Sequence, residues 1–138
     1  MDSLPKISEY MDTEVPTLSP ETRVLDAVDF LLENKVTGAP VVDSGGALVG
    51  IITETDLLKL VTEGVRGEPP TAAKVAEYMT TDVITAPQTV DVYYIAGMFV
   101  ANKFRRLPVV EDGRIVGAIT RYDLLRVIRK LYEQADLV

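Results

Sequence analysis

From Val24 onward the apolar residues Val24, Ala27, Val28, Leu31 and Leu32 return at helical spacing, with Asp26, Asp29 and Glu33 on the other side. That rhythm predicts an amphipathic helix. Thr22 stands where an N-cap belongs, and Gly38 reads as the stop signal. APVVD (residues 39–43) then reads as a short buried strand, Ser44 to Gly46 as a turn, and LVGIIT as its hairpin partner. Helical spacing resumes through Leu57, Leu58 and Val61. Ahead of these elements, residues 7–11 read as a short helical turn and residues 15–18 as an extended piece. Pro16 and Pro20 there suit an edge strand and a turn. The predicted order is strand, helix, strand, strand, helix.

The same order comes round again. ISEYMDTEV (residues 7–15) matches VAEYMTTDV (residues 75–83) at a spacing of 68, and APVVD matches LPVVE (residues 107–111) at the same spacing. GALVGIIT (residues 46–53) matches GRIVGAIT (residues 113–120) at 67, the extra Gly45 in the first turn taking up the difference. The chain is a tandem duplication. Its first repeat spans residues 7–62, its second residues 75–130, and residues 131–138 form a helix end and tail. Residues 63–74, rich in Gly and Pro, read as the linker. In the last helix Leu124, Leu125, Ile128, Leu131 and Tyr132 form an apolar stripe opposite Arg126, Arg129, Lys130 and Glu133.

One segment departs from the amphipathic pattern. VDVYYIAGMFVA, residues 90–101, carries a single charge, Asp91. A helix that is apolar all round needs cover on more than one side. A place between the two repeats would provide it. The favoured reading is a homodimer interface, with Tyr93, Tyr94, Met98 and Phe99 meeting a second subunit.

Composition narrows the chemistry. The 138 residues include no His and no Cys, which removes the commonest general base, the strongest nucleophile and most transition-metal sites. No P-loop and no G-x-G-x-x-G occurs. The expectation is a protein that is not an enzyme, with no catalytic residue, catalytic cofactor or metal. The chain start has no basic region followed by an apolar core, and no apolar run reaches membrane length, so a cytoplasmic protein is expected. Net charge is −7, but it is unevenly spread. Residues 1–102 carry 16 acids and 6 bases, whereas residues 103–130 carry 8 bases and 3 acids. The acidic bulk argues against nucleic acid. Arg126, Arg129 and Lys130 read as a solvated helix face, whereas Arg105, Arg106 and Arg121 flank the second repeat's strands and would draw an anion.

Two duplicated corners remain, GIITETD at residues 50–56 and GAITRYD at residues 117–123. Each is a strand ending in Thr, with Asp three residues on at a helix start. Hydroxyl, carboxylate and free backbone N–H groups therefore meet where a strand becomes a helix. Thr53 with Asp56, and Thr120 with Asp123, have the spacing of a capping box with Asp in the N3 place. Helix capping alone accounts for a single motif of this kind. Cap and ligand site are nevertheless compatible.

Two such frames, each with P-V-V, a turn, an h-V-G-h-h-T strand and T-x-x-D, resemble the cystathionine-β-synthase (CBS) domain pair, or Bateman module, over residues 7–130. The resemblance implies an α+β fold of two β-α-β-β-α repeats packed through their sheets about a pseudo-twofold axis, with two clefts. It implies a stand-alone regulatory or sensor module for an adenine nucleotide such as AMP, ADP or ATP, acting on a separate partner and commonly dimeric. It also places Thr53, Asp56, Thr120 and Asp123 at a ribose and phosphate. Arg105 and Arg106 would serve as phosphate donors, where the first repeat has Thr37 and Gly38 instead. Arg121 is either a further donor or a solvated residue. Gly38, Ala39, Pro40, Leu107 and Pro108 would give a purine its backbone edge and floor, and Val15 and Val83 its other wall. Plain core packing explains the valines and prolines as well. The alternatives are a ligand-free dimerisation scaffold, or a binder of an adenosyl compound of the S-adenosylmethionine type.

Overall fold

Two antiparallel hairpins, one per repeat, carry the architecture in a computed structural model that describes residues 5–63 and 72–136. In chain order a 3-10 turn (Ile7–Glu9) precedes α1 (Val24–Asn34), β1 (Gly38–Val42), β2 (Leu48–Thr53), α2 (Glu54–Glu63) and α3 (Val75–Tyr78). There follow α4 (Val92–Ala101), β3 (Arg106–Glu111), β4 (Arg114–Thr120) and α5 (Arg121–Asp136). The chain is thus mixed helix and strand with two small sheets, as the duplicated pattern predicts. Glu63, the first residue of the predicted linker, closes α2, and residues 64–71 lie outside the described residues.

Two compact units form, and they are not simply the two repeats. One consists of residues 16–83, the other of residues 5–15 together with residues 84–136. In the first, β1 pairs with β2 from Gly38 opposite Thr53 to Val42 opposite Leu48. Leu18 bridges Val41 on one side of the hairpin, and Thr80 bridges Ile51 on the other through Ile51 N–H to Thr80 O and Thr80 N–H to Ile51 O, both 2.9 Å. The second unit has the same plan. β3 pairs with β4, Ala86 bridges Val109, and Asp12 exchanges two 2.9 Å bonds with Ala118. The segment that finishes the second repeat's sheet therefore comes from the beginning of the chain.

The first predicted strand of each repeat shrinks to one bridging residue, and proline is the reason. Leu18 donates to Pro40 O and accepts from Val42 N–H. To continue the ladder, residue 40 would need an N–H, which proline lacks. Pro108 limits the pairing at Ala86 in the same way, with Ala86 N–H bonded to Pro108 O at 3.1 Å. Val15 and Val83 accordingly sit in unpaired backbone and are half-buried, not at the start of a strand.

Helix ends also differ from expectation. Arg23, not Thr22, precedes α1, and no side chain caps it. The Thr22 hydroxyl instead accepts from Ser19 N–H, and Val24 N–H is satisfied by Ala73 O at 2.9 Å. Lys74 reinforces that junction with a 2.6 Å bond to Glu21. The hydrogen bond and the charge of Glu21 raise the Lys74 pKa above the ordinary lysine value. At its C-terminus α1 is stopped by Lys35 in the left-handed region, φ 55°, while Gly38 already belongs to β1. The hairpin turns follow their sequences. Asp112 and Gly113 both have positive φ, the mark of a type I′ turn. In the longer first turn Asp43 Oδ1 accepts from Gly45 and Ala47 N–H.

Each unit has its own core. Ile52, Val41, Val24 and Val75 are fully buried in one, and Ile7, Ile95, Leu107 and Ile119 in the other. α4 buries Val92, Ile95 and Phe99, with Phe99 edge-on to Phe104 at 4.8 Å between ring centres. Phe99 thus belongs to the core of its own unit, not to an intersubunit surface. Tyr93, Tyr94 and Val100 are exposed. Among the described residues of α5 the buried apolar positions are Leu124 and Val127, whereas Leu125, Ile128 and Tyr132 of the predicted stripe face outward. Leu32 on α1 and Leu58 and Val61 on α2 are likewise exposed. Among the described residues no helix is long and apolar enough to cross a membrane.

Candidate functional site

The two Thr–Asp corners are built alike. Thr53 ends β2, and Asp56 lies in the first turn of α2. Asp56 Oδ2 accepts from Thr53 N–H at 2.9 Å and from the Thr53 hydroxyl at 3.0 Å, while Asp56 N–H donates to Thr53 Oγ1 at 3.3 Å. At the other corner Asp123 Oδ2 accepts from Thr120 N–H at 2.8 Å and its hydroxyl at 3.0 Å, and Asp123 N–H donates back at 3.2 Å. Both are closed capping boxes. Asp56 and Asp123 are also the buried polar residues among those described, 6 % and 8 % exposed. A buried carboxylate is costly unless its oxygens are matched. The cap uses one oxygen of each pair, so the chemistry of the corner rests on the other, Oδ1.

Here the corners differ. Asp56 Oδ1 has a long 3.4 Å contact with the Thr80 hydroxyl. Asp123 Oδ1 lies 2.6 Å from Arg126 Nη2, which also reaches Tyr10 O at 3.4 Å. Opposite each Thr stands the residue that begins the partner strand, Gly38 facing Thr53 and Arg106 facing Thr120. A Cβ at Gly38 would come within 3.1 Å of Ile52 O and 3.3 Å of Thr53 Cγ2, so the first corner is tight where the second carries the Arg106 side chain. Arg106 is largely buried, its Nη2 3.7 Å from Asp12 Oδ2, and its buried Nε has no hydrogen-bond partner. An unsatisfied guanidinium donor is the kind of group that an incoming anion matches.

Other predicted residues fall around these corners. Ala39 and Pro40 are buried beside Gly38 in β1, and Leu107 and Pro108 beside Arg106 in β3. Arg105 and Arg121 are exposed. Sequence reading missed Arg126, Asp12 and Thr80. Arg126 could have been found from its i,i+3 relation to Asp123 on one helix. Asp12 and Thr80 occupy matching places in EYMD and EYMT, so the duplication itself held that signal. The glycine of each corner frame also has its explanation here. A Cβ on Gly50 would lie 2.7 Å from Met79 Sδ and 3.0 Å from Thr80 O, and one on Gly117 would lie 2.5 Å from Met11 Sδ and 2.9 Å from Asp12 O. The flanking segment crosses so closely that only hydrogen fits.

With this geometry in place, comparison with known proteins is decisive at the family level. The model of the CBS domain matches twice, over residues 7–63 and 75–130, and the chain belongs to the CBS-domain family. Its relative MJ1225 of Methanocaldococcus jannaschii is 33 % identical over 122 residues, 88 % of this chain and 42 % of that protein. The chain spans still smaller shares, 25 % and 23 %, of two further curated relatives. The crystal structure of CBSX2 of Arabidopsis thaliana in complex with AMP has 31 % identity and a TM-score of 0.82, with 93 % of this chain and 98 % of that one covered. The CBS domain pair of MJ0100, in complex with 5′-methylthioadenosine and S-adenosyl-L-methionine, has 26 % identity and a TM-score of 0.79 over 93 % of this chain and 98 % of that one.

Proposed function

We propose that this chain is a non-catalytic regulatory module that takes an adenine nucleotide at its Thr53–Asp56 and Thr120–Asp123 corners and passes the occupancy to a separate protein in the cytoplasm. The observation that carries the reading is the pair of buried carboxylates whose capping role uses only one oxygen each. A ribose diol supplies two hydroxyl donors that a carboxylate oxygen outside the cap can accept. The partnerless Nε of Arg106, with Arg105 beside it, supports a phosphorylated ligand over a neutral adenosyl one. Ala39, Pro40, Leu107, Pro108, Val15 and Val83 are proposed as the apolar surroundings of the base. The AMP complex of CBSX2 supports the nucleotide class, and the MJ0100 complex keeps an adenosyl compound as the alternative.

Titration calorimetry with AMP, ADP, ATP and S-adenosylmethionine tests this on the wild type, Asp56→Ala and Asp123→Ala. Each substitution is expected to weaken binding at its own corner at least about tenfold, the loss of a hydrogen bond to a charged group, while circular dichroism is unchanged. Affinity that ignores both substitutions refutes the assignment. We further propose a homodimer through α4, now through its exposed Tyr93, Tyr94 and Val100, with Tyr122, Leu125 and Ile128 of α5 widening the patch. A ligand-free scaffold is the second reading, favoured by the fact that both capping boxes are complete without a ligand. A dose-dependent rise in the unfolding midpoint with nucleotide decides against it.

A further inference from the structure

The inference concerns the inequality of the two corners and rests on the nucleotide reading above. Cap geometry is the same in both to within 0.1 Å, since each Asp Oδ2 takes the same Thr N–H and hydroxyl. What distinguishes them is the oxygen left for a ligand. At Asp56 it meets only a neutral hydroxyl at 3.4 Å. At Asp123 it is held by a guanidinium at 2.6 Å, a charge-assisted contact to a side chain that is 11 % exposed. The residue matching Arg126 in the first repeat is Lys59, which is exposed and forms no ion pair with Asp56. Arg126 is also steadied from outside its helix by Tyr10 O, contributed by the leading segment.

We infer that Arg126 is a positioning residue that latches Asp123, so that a nucleoside diol must displace its guanidinium, and that the Asp56 corner fills first. The consequence runs against simple charge attraction. Removing a cation near an anionic ligand ordinarily weakens binding. Removing this one strengthens it, because the carboxylate oxygen is released to accept ribose hydroxyls.

The experiment measures AMP binding by calorimetry on single-corner proteins, Asp123→Ala leaving the first corner and Asp56→Ala leaving the second. AMP is expected to bind the Asp123→Ala protein more tightly than the Asp56→Ala protein. Adding Arg126→Gln to the Asp56→Ala protein is expected to raise its affinity about two- to fivefold, the range of a partly exposed ion pair. The reciprocal change is Lys59→Arg in the Asp123→Ala protein, which installs the latch at the first corner and lowers its affinity. This change does not disturb the Arg126 contacts, so it tests the latch even where Arg126→Gln affects folding. Unchanged or weaker binding on adding Arg126→Gln overturns the latch while leaving the nucleotide reading intact. Absence of AMP binding in the wild type and in both single-corner proteins overturns the nucleotide reading, and the latch with it.

Discussion

Single atoms decide several positions in this chain. Gly117 has Met11 Sδ and Asp12 O where its Cβ would be, at 2.5 and 2.9 Å. A thioether can swing aside, but a backbone oxygen that accepts from Ala118 N–H, in a residue whose own N–H bonds Ala118 O, cannot. Gly117→Ala is therefore expected to destabilise the protein by about 1–3 kcal/mol, as overpacking does. Adding Met11→Ala should return only part of that loss, and urea denaturation of the three proteins measures both. This scale is also where sequence reading succeeds and fails most clearly. The Thr–Asp spacing was legible because a capping box is local: three residues of separation fix the geometry. The Asp123–Arg126 contact was no less local, yet the basic residue was read with Arg129 and Lys130 as part of a solvated face. Charge runs along a helix hide the one member that bonds a buried carboxylate. Asp12 opposite Arg106 was illegible for another reason, since 94 positions separate the two in the chain.

Among the elements, α1 and α4 are the ones whose ends and faces needed the structure. α1 closes on Lys35 at φ 55°, a conformation that penalises any residue with a Cβ. Lys35→Gly should stabilise the protein by about 1 kcal/mol, read as a shift in denaturation midpoint at constant slope. The Gly at residue 38 drew attention in the sequence, but its smallness serves the close approach of Ile52 and Thr53, not the helix end. On α4 the apolar composition was legible and its division into faces was not, because a helix with nearly uniform hydrophobicity carries no periodic signal. Phe99→Ala should cost about 3–5 kcal/mol through the cavity left beside Phe104. Val100, 88 % exposed, should tolerate Ala with a change within about 0.5 kcal/mol. Val100→Asp should instead shift the oligomer towards monomer in sedimentation velocity if α4 is the dimer surface, and an unchanged sedimentation coefficient would exclude it.

At the scale of the whole molecule, the repeats in the sequence and the compact units in space are different partitions. A duplication reveals which segments are alike but not which body each one joins. Residues 7–12 resemble residues 75–80, and each sits against the hairpin that follows the other in the sequence: Asp12 on β4, Thr80 on β2. Ile7 is wholly buried in the unit formed with residues 84–136, and its N–H bonds Val90 O at 3.1 Å. Ile7→Ala should thus cost about 2–5 kcal/mol. Amide exchange should locate that loss in β3, β4 and α4, with Ala118 N–H among the first to lose protection. The hairpin of β1 and β2 should keep its protection. Equal loss in both hairpins would contradict the partition.

That partition has a consequence for how the protein is made. As the chain leaves the ribosome, residues 7–12 emerge before β3 and β4, the hairpin on which they settle. The stretch from 16 to 83 can close by itself well before that. Residues 7–12 therefore find their place later than residues 16–83, and until they do β4 presents an open strand edge to whatever else is nearby.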